Sequence, residues 1–226
     1  MQNNVRVYPD TWEAQRMGRF TASEIYKLMT EPRTKAAKES GELSEGAKTY
    51  VEQKVAEMLT GHKNEFMSMA TEHGKELEPE AAIKFAEYLN QDVTSMDWIY
   101  CGGDQPVFQP YGNNCGGSPD IIISNLDAIA EIKCPFESKN HIYHLLTTSE
   151  TIAERLPEYY CQMQCNMLFC EKSKAYFVSY DPRFHDDKLQ LKVIEVERND
   201  DFLERVTFKI ASALDYRDKL LKVLQL

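Results

Sequence analysis

The sequence predicts a mixed α/β (α+β) protein in which a central mixed β-sheet is flanked by helices. Three observations support this fold class: apolar residues at helical spacing through roughly the first 90 residues, β-branched and aromatic residues between residues 92 and 134, and alternating helix and strand patterns after residue 157. This order is typical of a sheet against which helices pack. The 226 residues contain no internal repeat and no linker rich in Pro, Gly or Ser, so we expect a single domain over residues 1–226.

The N-terminal part is predicted to form four helices. Asp10 with Glu13 has the spacing of a capping box before a short helix that ends near Gly18, and Thr21 with Glu24 repeats that spacing before a second helix. A third helix is expected between a Ser at position 44 and a Gly at position 61. The fourth runs from about residue 68 to residue 89, and its apolar stripe consists of Leu77, Ala81, Phe85 and Leu89.

The remaining elements follow from local patterns. Residues 92–134 are interpreted as strands, because β-branched and aromatic residues alternate there with Gly, Asn and Pro. A helix is predicted over about 157–169, strands over 175–180 and 189–196, and a last helix over about 199–224. We expect the sheet to lie between these helices.

Composition excludes several classes of protein. With 42% hydrophobic and 27% charged residues the chain has enough apolar surface to fold, which excludes a disordered protein. No run approaches about 18 apolar residues and the first residues lack the pattern of a signal peptide, so we expect a cytoplasmic protein without a membrane span. The six cysteines include no C-x-x-C pair and the histidines no H-E-x-x-H pattern, which disfavours disulfides, iron–sulfur clusters and a zinc hydrolase.

The net charge limits how the chain could contact nucleic acid. A formal charge of −10 and a pI near 5.1 argue against a protein that coats nucleic acid through overall positive charge. A DNA enzyme remains possible, since a small basic groove can lie on an acidic body. Any DNA contact is therefore expected to be local.

The segment GGSPDIIISNLDAIAEIKCPF, residues 116–136, predicts a β-hairpin that carries acidic residues. If Ile123 pairs with Ala128 across a four-residue turn, the same register places Asp120 opposite Glu131. Directly opposed residues of an antiparallel pair have Cβ atoms about 5 Å apart on one face. Two like charges at that separation repel each other, and a divalent cation such as Mg²⁺ would relieve the repulsion.

The alternation of side chains adds a cation to this face. Lys133 lies on the face of Glu131, whereas Ile132 points into the core. Two acids and an ammonium group are suited to metal-dependent phosphodiester hydrolysis, in which the metal polarises the phosphate and activates water. The residues alone leave a second interpretation open, namely a solvated hairpin with ordinary surface acids.

Several segments together resemble a known family. The spacing P-D-x(10)-E-x-K resembles the PD-(D/E)xK nuclease superfamily, and the order of the segments is similar to that of the lambda exonuclease family and the YqaJ-type viral recombinases. The segments are WEAQRMGRFTASE (12–24), EPRT (31–34), HGKELEPEA (73–81), GGSPD (116–120), EIKCPF (131–136), YYCQMQ (159–164) and AYFVSYDPR (175–183). The resemblance covers about residues 10–200 and implies a restriction-endonuclease-like core.

The resemblance implies a metal site. It assigns Asp120, Glu131 and the backbone carbonyl of Ile132 as ligands of Mg²⁺, which Mn²⁺ could replace, with two ions per site. It also implies a metal-facing role for Glu78. The resemblance also implies two catalytic residues beside these ligands. They are Lys133, the catalytic lysine, and Gln162, near the scissile end.

The resemblance also implies a site for the DNA end. Arg16, Ser23 and Ser118 match residues that hold a 5′-terminal phosphate, and Arg33 matches a residue that contacts DNA. For Ser23 a physical argument agrees, because the first turn of a helix starting at Thr21 would attract an anion.

The implied activity is a Mg²⁺-dependent 5′→3′ exonuclease on linear double-stranded DNA with a 5′-phosphate end. It would release 5′-mononucleotides and leave 3′ single-stranded overhangs. The resemblance further implies a homotrimeric ring and a single-strand annealing protein as partner. Two alternatives stay open: a structure- or site-specific endonuclease on the same core, and a DNA-end-binding module that does not cleave.

Overall fold

The computed structural model describes residues 11–63, 69–103 and 106–225, which form a mixed α/β fold as predicted. The helices of these residues are α1 Trp12–Arg16, α2 Lys35–Glu39, α3 Glu45–Thr60, α4 Met69–Leu89, α5 Ser138–Leu145, α6 Ile152–Arg155, α7 Pro157–Phe169 and α8 Asp200–Val223. The strands are β1 Phe20–Thr21, β2 Trp98–Tyr100, β3 Gln109–Tyr111, β4 Cys115–Gly117, β5 Ile121–Ile123, β6 Ala128–Lys133, β7 Lys174–Tyr180 and β8 Leu191–Glu197. Short 3₁₀ helices occupy Ile25–Met29, Ser124–Leu126 and Asp187–Leu189.

The central sheet is mixed and has the strand order β2-β5-β6-β7-β8. β6 and β7 are parallel, whereas the other neighbouring strands in this sheet are antiparallel. α4 covers one face, where Phe85 packs near Trp98 and Tyr176. α7 covers the other face, where Met163 and other α7 side chains meet Phe177 of β7. The sheet is therefore enclosed between two helical layers.

A second apolar cluster joins the N-terminal part to the last helix. Phe20, Ile25 and Tyr50 are buried in it together with Val206 and Ile210 of α8. β1 pairs with β4 in a small sheet of order β1-β4-β3, so the chain before residue 30 is tied to the segment that enters the β5–β6 hairpin. This link positions two distant parts of the sequence next to each other.

Most of the longer predicted helices are confirmed. Ser44 caps α3 by accepting a hydrogen bond from the N–H of Ala47, and Gly61 ends it with φ of 65°. α7 spans 157–169 and α8 spans 200–223, as the apolar spacing predicts. Within the described residues α4 begins at Met69, and residue 68 lies outside them. The expectation of one domain over the whole chain stays a prediction.

The two N-terminal capping boxes are not formed as expected. Thr11 caps α1 with its hydroxyl, and Asp10 lies outside the described residues. Thr21 belongs to β1, and the segment after it is a five-residue 3₁₀ helix instead of an α-helix. Thr21 pairs with β4 as a strand residue, and the Glu24 carboxylate accepts from the Thr21 hydroxyl at 3.3 Å as well as from Lys27 and Lys54, so no side-chain hydrogen bond caps the start of the 3₁₀ helix.

Two sequence expectations concern thiols and membranes. All six cysteines have free thiols, and five of them are buried. Among the helices of the described ranges, none combines the length and the apolar character that crossing a membrane requires.

Candidate active site

The β5–β6 hairpin has the predicted register up to its last pair. Ile123 pairs with Ala128 and Ile121 pairs with Ala130. Beyond that pair the expected opposition of Asp120 and Glu131 is wrong. The N–H of Asp120 donates to the carbonyl of Ala130 at 3.0 Å, so Asp120 is shifted by one position relative to the register of the strands.

Asp120 is held at this position by backbone groups. Its carbonyl accepts from the N–H of Cys101 at 2.8 Å, and its carboxylate accepts from the N–H of Ile132 at 2.5 Å. The carboxylate therefore lies at the end of β6 without being directly opposite Glu131. The shift arises because Asp120 bonds on one side to the segment after β2 and on the other side to β6.

Glu131 is almost fully buried, with 1% of its surface exposed. Its Oε1 accepts from Lys133 Nζ at 2.5 Å and from Gln162 Nε2 at 2.6 Å. Its Oε2 is buried and has no hydrogen-bond partner within the described part of the chain. A buried carboxylate oxygen without a donor is costly, and a cation would satisfy it.

Glu78 lies on α4, on the face of the sheet opposite to α7, and its side chain reaches the end of the β5–β6 hairpin. Its Oε1 accepts from the hydroxyl of Tyr100 at 2.8 Å. A Cβ atom at Gly102 would overlap the Glu78 carboxylate and the Tyr100 hydroxyl, so a larger residue there would displace these side chains. Sequence reasoning missed Tyr100 and Gly102, since neither belongs to a recognisable motif.

The two carboxylates and the ammonium group of this cluster change one another's pKa. Burial, reinforced by the charge of Glu131, raises the pKa of Asp120 well above its usual range. Burial also raises the pKa of Glu131, against the attraction of Lys133. Burial would lower the pKa of Lys133, but the charges of Glu131 and Asp120 outweigh it and raise that pKa. The site therefore favours a bound cation.

The donor set fits a hard divalent cation. Among the described residues no three Asp, Glu, His or Cys side chains are grouped closely enough to hold a metal ion. Mg²⁺, however, binds through one or two carboxylates and keeps waters at its other positions. Asp120 and Glu131, with its unpartnered Oε2, meet that requirement. The Ile132 carbonyl and Glu78 stay predicted as further ligands.

A cleft of about 960 Å³ gives access to the site. Glu78 and Lys133 line it together with residues of α5 and α7. Lys133 Nζ lies 5.0 Å from the ring centroid of Tyr159, an aromatic face that stabilises the ammonium group. Gln162 reaches the cluster from α7, so it contacts the site and is not a helix-surface amide.

A second polar cluster brings together the residues predicted to hold a 5′-phosphate. Arg16 Nη2 lies 3.4 Å from Ser23 Oγ, and its guanidinium carbon lies 4.2 Å from the ring centroid of Trp12. Trp12 Nε1 in turn donates to Ser118 Oγ at 2.9 Å. Trp12 therefore connects the two ends of the cluster, a role that sequence reasoning missed although it lies in the motif 12–24.

The structure corrects one expectation about the DNA end, for Ser23, and places Arg33 away from the Arg16 cluster. Ser23 is not in the first turn of an α-helix, because the next element is the short 3₁₀ helix that begins at Ile25. The helix-dipole argument for Ser23 is therefore wrong, and attraction of an anion depends on Arg16. Arg33 is exposed and lines a separate groove of about 540 Å³ beside the start of α3.

Comparisons with known proteins agree with this architecture. A family model described as the YqaJ-like viral recombinase domain matches residues 11–173. The alkaline exonuclease LHK-Exo from Laribacter hongkongensis is 26% identical, with a TM-score of 0.73 and 95% of both chains covered. The structure of LHK-Exo in complex with dAMP is 25% identical, with a TM-score of 0.72 and 94% of both chains covered.

A phage-related exonuclease from Haemophilus somnus 129PT shares the fold. It is 19% identical, with a TM-score of 0.72, and the match covers 91% of this chain and 96% of that chain. A comparison with curated proteins gave no match. Because the family model spans well over half of the sequence, this chain belongs to the YqaJ-like viral recombinase family.

Proposed function

We propose that this protein is a Mg²⁺-dependent exonuclease that digests linear double-stranded DNA in the 5′→3′ direction from 5′-phosphate ends. It releases 5′-mononucleotides and leaves 3′ single strands. The observation that carries the proposal is the buried Glu131, with one unpartnered oxygen, beside Asp120 and Lys133 at the end of a cleft. Membership of a family whose structural relatives are alkaline exonucleases supports the nuclease class.

The residues of the site have separate roles in the proposed reaction. Bound Mg²⁺ supplies positive charge against the phosphate and lowers the pKa of water, and Asp120 and Glu131 would hold it. Lys133, kept protonated by the two carboxylates, donates hydrogen bonds to a phosphate oxygen or to the attacking water. Gln162 fixes the orientation of Glu131 through its 2.6 Å hydrogen bond.

The polarity of digestion is assigned to the Arg16 cluster. A guanidinium group binds a terminal phosphate through two parallel hydrogen bonds, and the hydroxyls of Ser23 and Ser118 add further donors. We also assign to Arg33, which lines the separate groove, a contact with the duplex. These contacts are local, which agrees with the overall charge of −10.

Three parts of the proposal rest on the resemblance. The active form is a homotrimeric ring around the DNA, and its 3′ overhangs are passed to a single-strand annealing protein. The protein acts in the cytoplasm of a bacterial host, as a phage or prophage product. Mn²⁺ is expected to replace Mg²⁺, and each site holds two ions.

The test is digestion of linear duplex DNA labelled at one 5′ end, carrying either a phosphate or a hydroxyl. Reactions contain Mg²⁺, Mn²⁺ or EDTA, and a closed circular plasmid is treated in parallel. We expect metal-dependent loss of the 5′-phosphate strand with the circle intact. Asp120→Asn is expected to lose activity by roughly 100-fold or more, since several kcal/mol of charge stabilisation are removed.

The controls separate the alternatives. The exposed Asp201→Asn is a matched change of one carboxylate and should leave the rate unchanged. Arg16→Ala should reduce the preference for phosphate over hydroxyl ends, and an unchanged ratio removes Arg16 from that role. Cleavage of the circle would instead indicate an endonuclease, and DNA binding without any cleavage would indicate an end-binding module.

A further inference from the structure

Two histidines share one buried serine behind the candidate active site. His141 and His144 lie on α5, and Ser179 lies on β7 with no exposed surface. Each histidine has its Nδ1 at 2.8 Å from Ser179 Oγ. A hydroxyl group has a single proton, so it can donate to only one of these two nitrogens.

The backbone carbonyl of Leu189 determines which histidine accepts the hydroxyl proton of Ser179. Nε2 of His141 lies 2.8 Å from the carbonyl oxygen of Leu189, and a carbonyl only accepts, so this Nε2 carries a proton. Burial lowers the pKa of His141, and burial with the neighbouring His141 lowers that of His144 to about 4, so both rings are neutral near pH 7. Nδ1 of His141 is consequently an acceptor, and the Ser179 hydroxyl donates to it.

The ring of His144 then has one allowed tautomer. Since the proton of Ser179 is used, its oxygen must accept from Nδ1–H of His144. A neutral imidazole protonated at Nδ1 has a lone pair at Nε2. The chain of bonds from Leu189 through His141 and Ser179 therefore makes Nε2 of His144 a hydrogen-bond acceptor.

This acceptor opens to the catalytic cleft. His144 lines the cleft together with Lys133 and Tyr159. No hydrogen bond of the described residues ends on its Nε2, and 4% of the surface of His144 is exposed. The edge of the ring packs against Tyr159, whose face lies 5.0 Å from Lys133 Nζ.

The chemistry of a lone pair restricts its partner. A nitrogen acceptor repels phosphate oxygens, so Nε2 does not bind the DNA backbone, and its partner must be a donor. The ammonium group of Lys133 has three N–H bonds, of which one is used by Glu131 Oε1. The charge of Lys133 adds to burial and to the charge of His141 in lowering the pKa of His144.

We propose that His144 is a positioning residue for Lys133, whose ammonium group donates to the fixed Nε2 lone pair through one water molecule. With Glu131 and His144 as acceptors, the third N–H of Lys133 is directed at the phosphate or the attacking water. This role rests on the proposed nuclease function, because it concerns the same lysine.

Two substitutions separate this role from a structural one. In His144→Asn the amide nitrogen replaces Nδ1 and keeps the bond to Ser179, but the acceptor at Nε2 is lost. In His144→Gln the amide oxygen lies near the position of Nε2 and keeps the acceptor, but the bond to Ser179 is lost. We expect His144→Asn to lower kcat by roughly tenfold with little change in KM for DNA, whereas His144→Gln retains more activity.

The opposite order would overturn the proposal. If His144 only supports Ser179, His144→Asn keeps wild-type kcat, and His144→Gln loses kcat and Tm together. Identical kcat values for the wild type and both variants would also contradict the role.

A measurement without substrate tests the tautomers. Long-range ¹H–¹⁵N correlation spectra of the full chain should show a proton on Nδ1 of His144 and on Nε2 of His141. A proton on Nε2 of His144 would overturn the inference whatever the activity. Absence of cleavage by the wild type would refute the nuclease function and this role with it, whereas wild-type cleavage with unaffected His144→Asn refutes only the latter.

Discussion

At the scale of single residues, a buried lysine supports the region that carries Arg16 and Ser23. Lys54 of α3 is 1% exposed, and its Nζ lies 2.9 Å from Glu24 Oε2 and 3.1 Å from both oxygens of Glu57. Glu57 also accepts from the N–H of Gly18 at 3.1 Å. These bonds attach the segment 18–24 to α3, and breaking a buried pair leaves an uncompensated charge.

The state of Glu24 gives a prediction for stability against pH. Burial would raise its pKa, but Lys54 and Lys27 outweigh burial and lower the pKa from 4.5 to about 2. A depressed carboxyl pKa stabilises the folded state above pH 4.5, and this contribution is lost as the pH falls towards 2. Glu24→Gln should therefore reduce the unfolding free energy at pH 7 by on the order of 3 kcal/mol.

Urea unfolding at pH 7, 4.5 and 3 measures this effect. The variant should differ from the wild type most at pH 7 and least at pH 3. Glu39→Gln is the matched control, because Glu39 is exposed and paired with an exposed lysine. A difference from the wild type that is independent of pH would refute the assigned ion pair.

At the scale of elements, the segment between β6 and α7 depends on tertiary contacts. Sequence periodicity did not predict α5 and α6, because both are short and the buried side chains of α5 are His141 and His144, which bond to Ser179 of β7. Arg183, after β7, donates to the carbonyls of Pro135 and Phe136 at 2.8 Å and to the buried Asp181. It thereby fixes the start of this segment, which forms one wall of the cleft.

Arg183→Ala should destabilise this wall. Burial would raise the pKa of Asp181, but the hydrogen bonds of Arg183 lower it to about 2. Without Arg183 a buried carboxylate loses its cation, and we expect a loss of about 2–4 kcal/mol, discounted because the arginine is partly exposed. Thermal unfolding and hydrogen exchange of residues 134–145 measure it.

Arg198→Ala provides the comparison, since Arg198 pairs with an exposed aspartate. It should change stability by less than about 1 kcal/mol and leave exchange in 134–145 unaltered. Equal effects of the two substitutions would show that the carbonyl contacts of Arg183 do not hold the wall.

At the scale of the whole molecule, charge distribution and assembly are linked. The chain carries −10 overall, yet the proposed reaction requires it to follow a polyanion. The proposed ring of three copies would reconcile the two, because locally basic groups can face a channel while acidic groups face solvent.

Light scattering at working concentration checks this assembly. We expect about three times the chain mass of 26.1 kDa. The mass should be the same with and without 5′-phosphate duplex when the weight of the DNA is subtracted. A monomeric mass would refute the ring, and processive digestion would then need another explanation.

Part of the fold could be predicted because its causes are local. α3 follows from the Ser44 cap, an apolar stripe and Gly61, and the hairpin follows from two short apolar runs around a turn. The family likewise follows from contiguous motifs such as GGSPD and EIKCPF. Thr21 and Glu24 show the limit, because Thr21 pairs with the distant strand β4 and Glu24 binds the distant Lys54, contacts that the local pattern of a cap does not specify.

The sequence by itself determined the fold class, the family and the pairing of β5 with β6, since periodicity, caps and motifs lie within short stretches of chain. Only the tertiary structure decided that Asp120 is shifted from the register and that Trp12 links Arg16 to Ser118. It alone showed that His141 and His144 share the hydroxyl of Ser179. These contacts join residues far apart in sequence, and their geometry depends on how helices and sheet pack together, which local patterns do not specify.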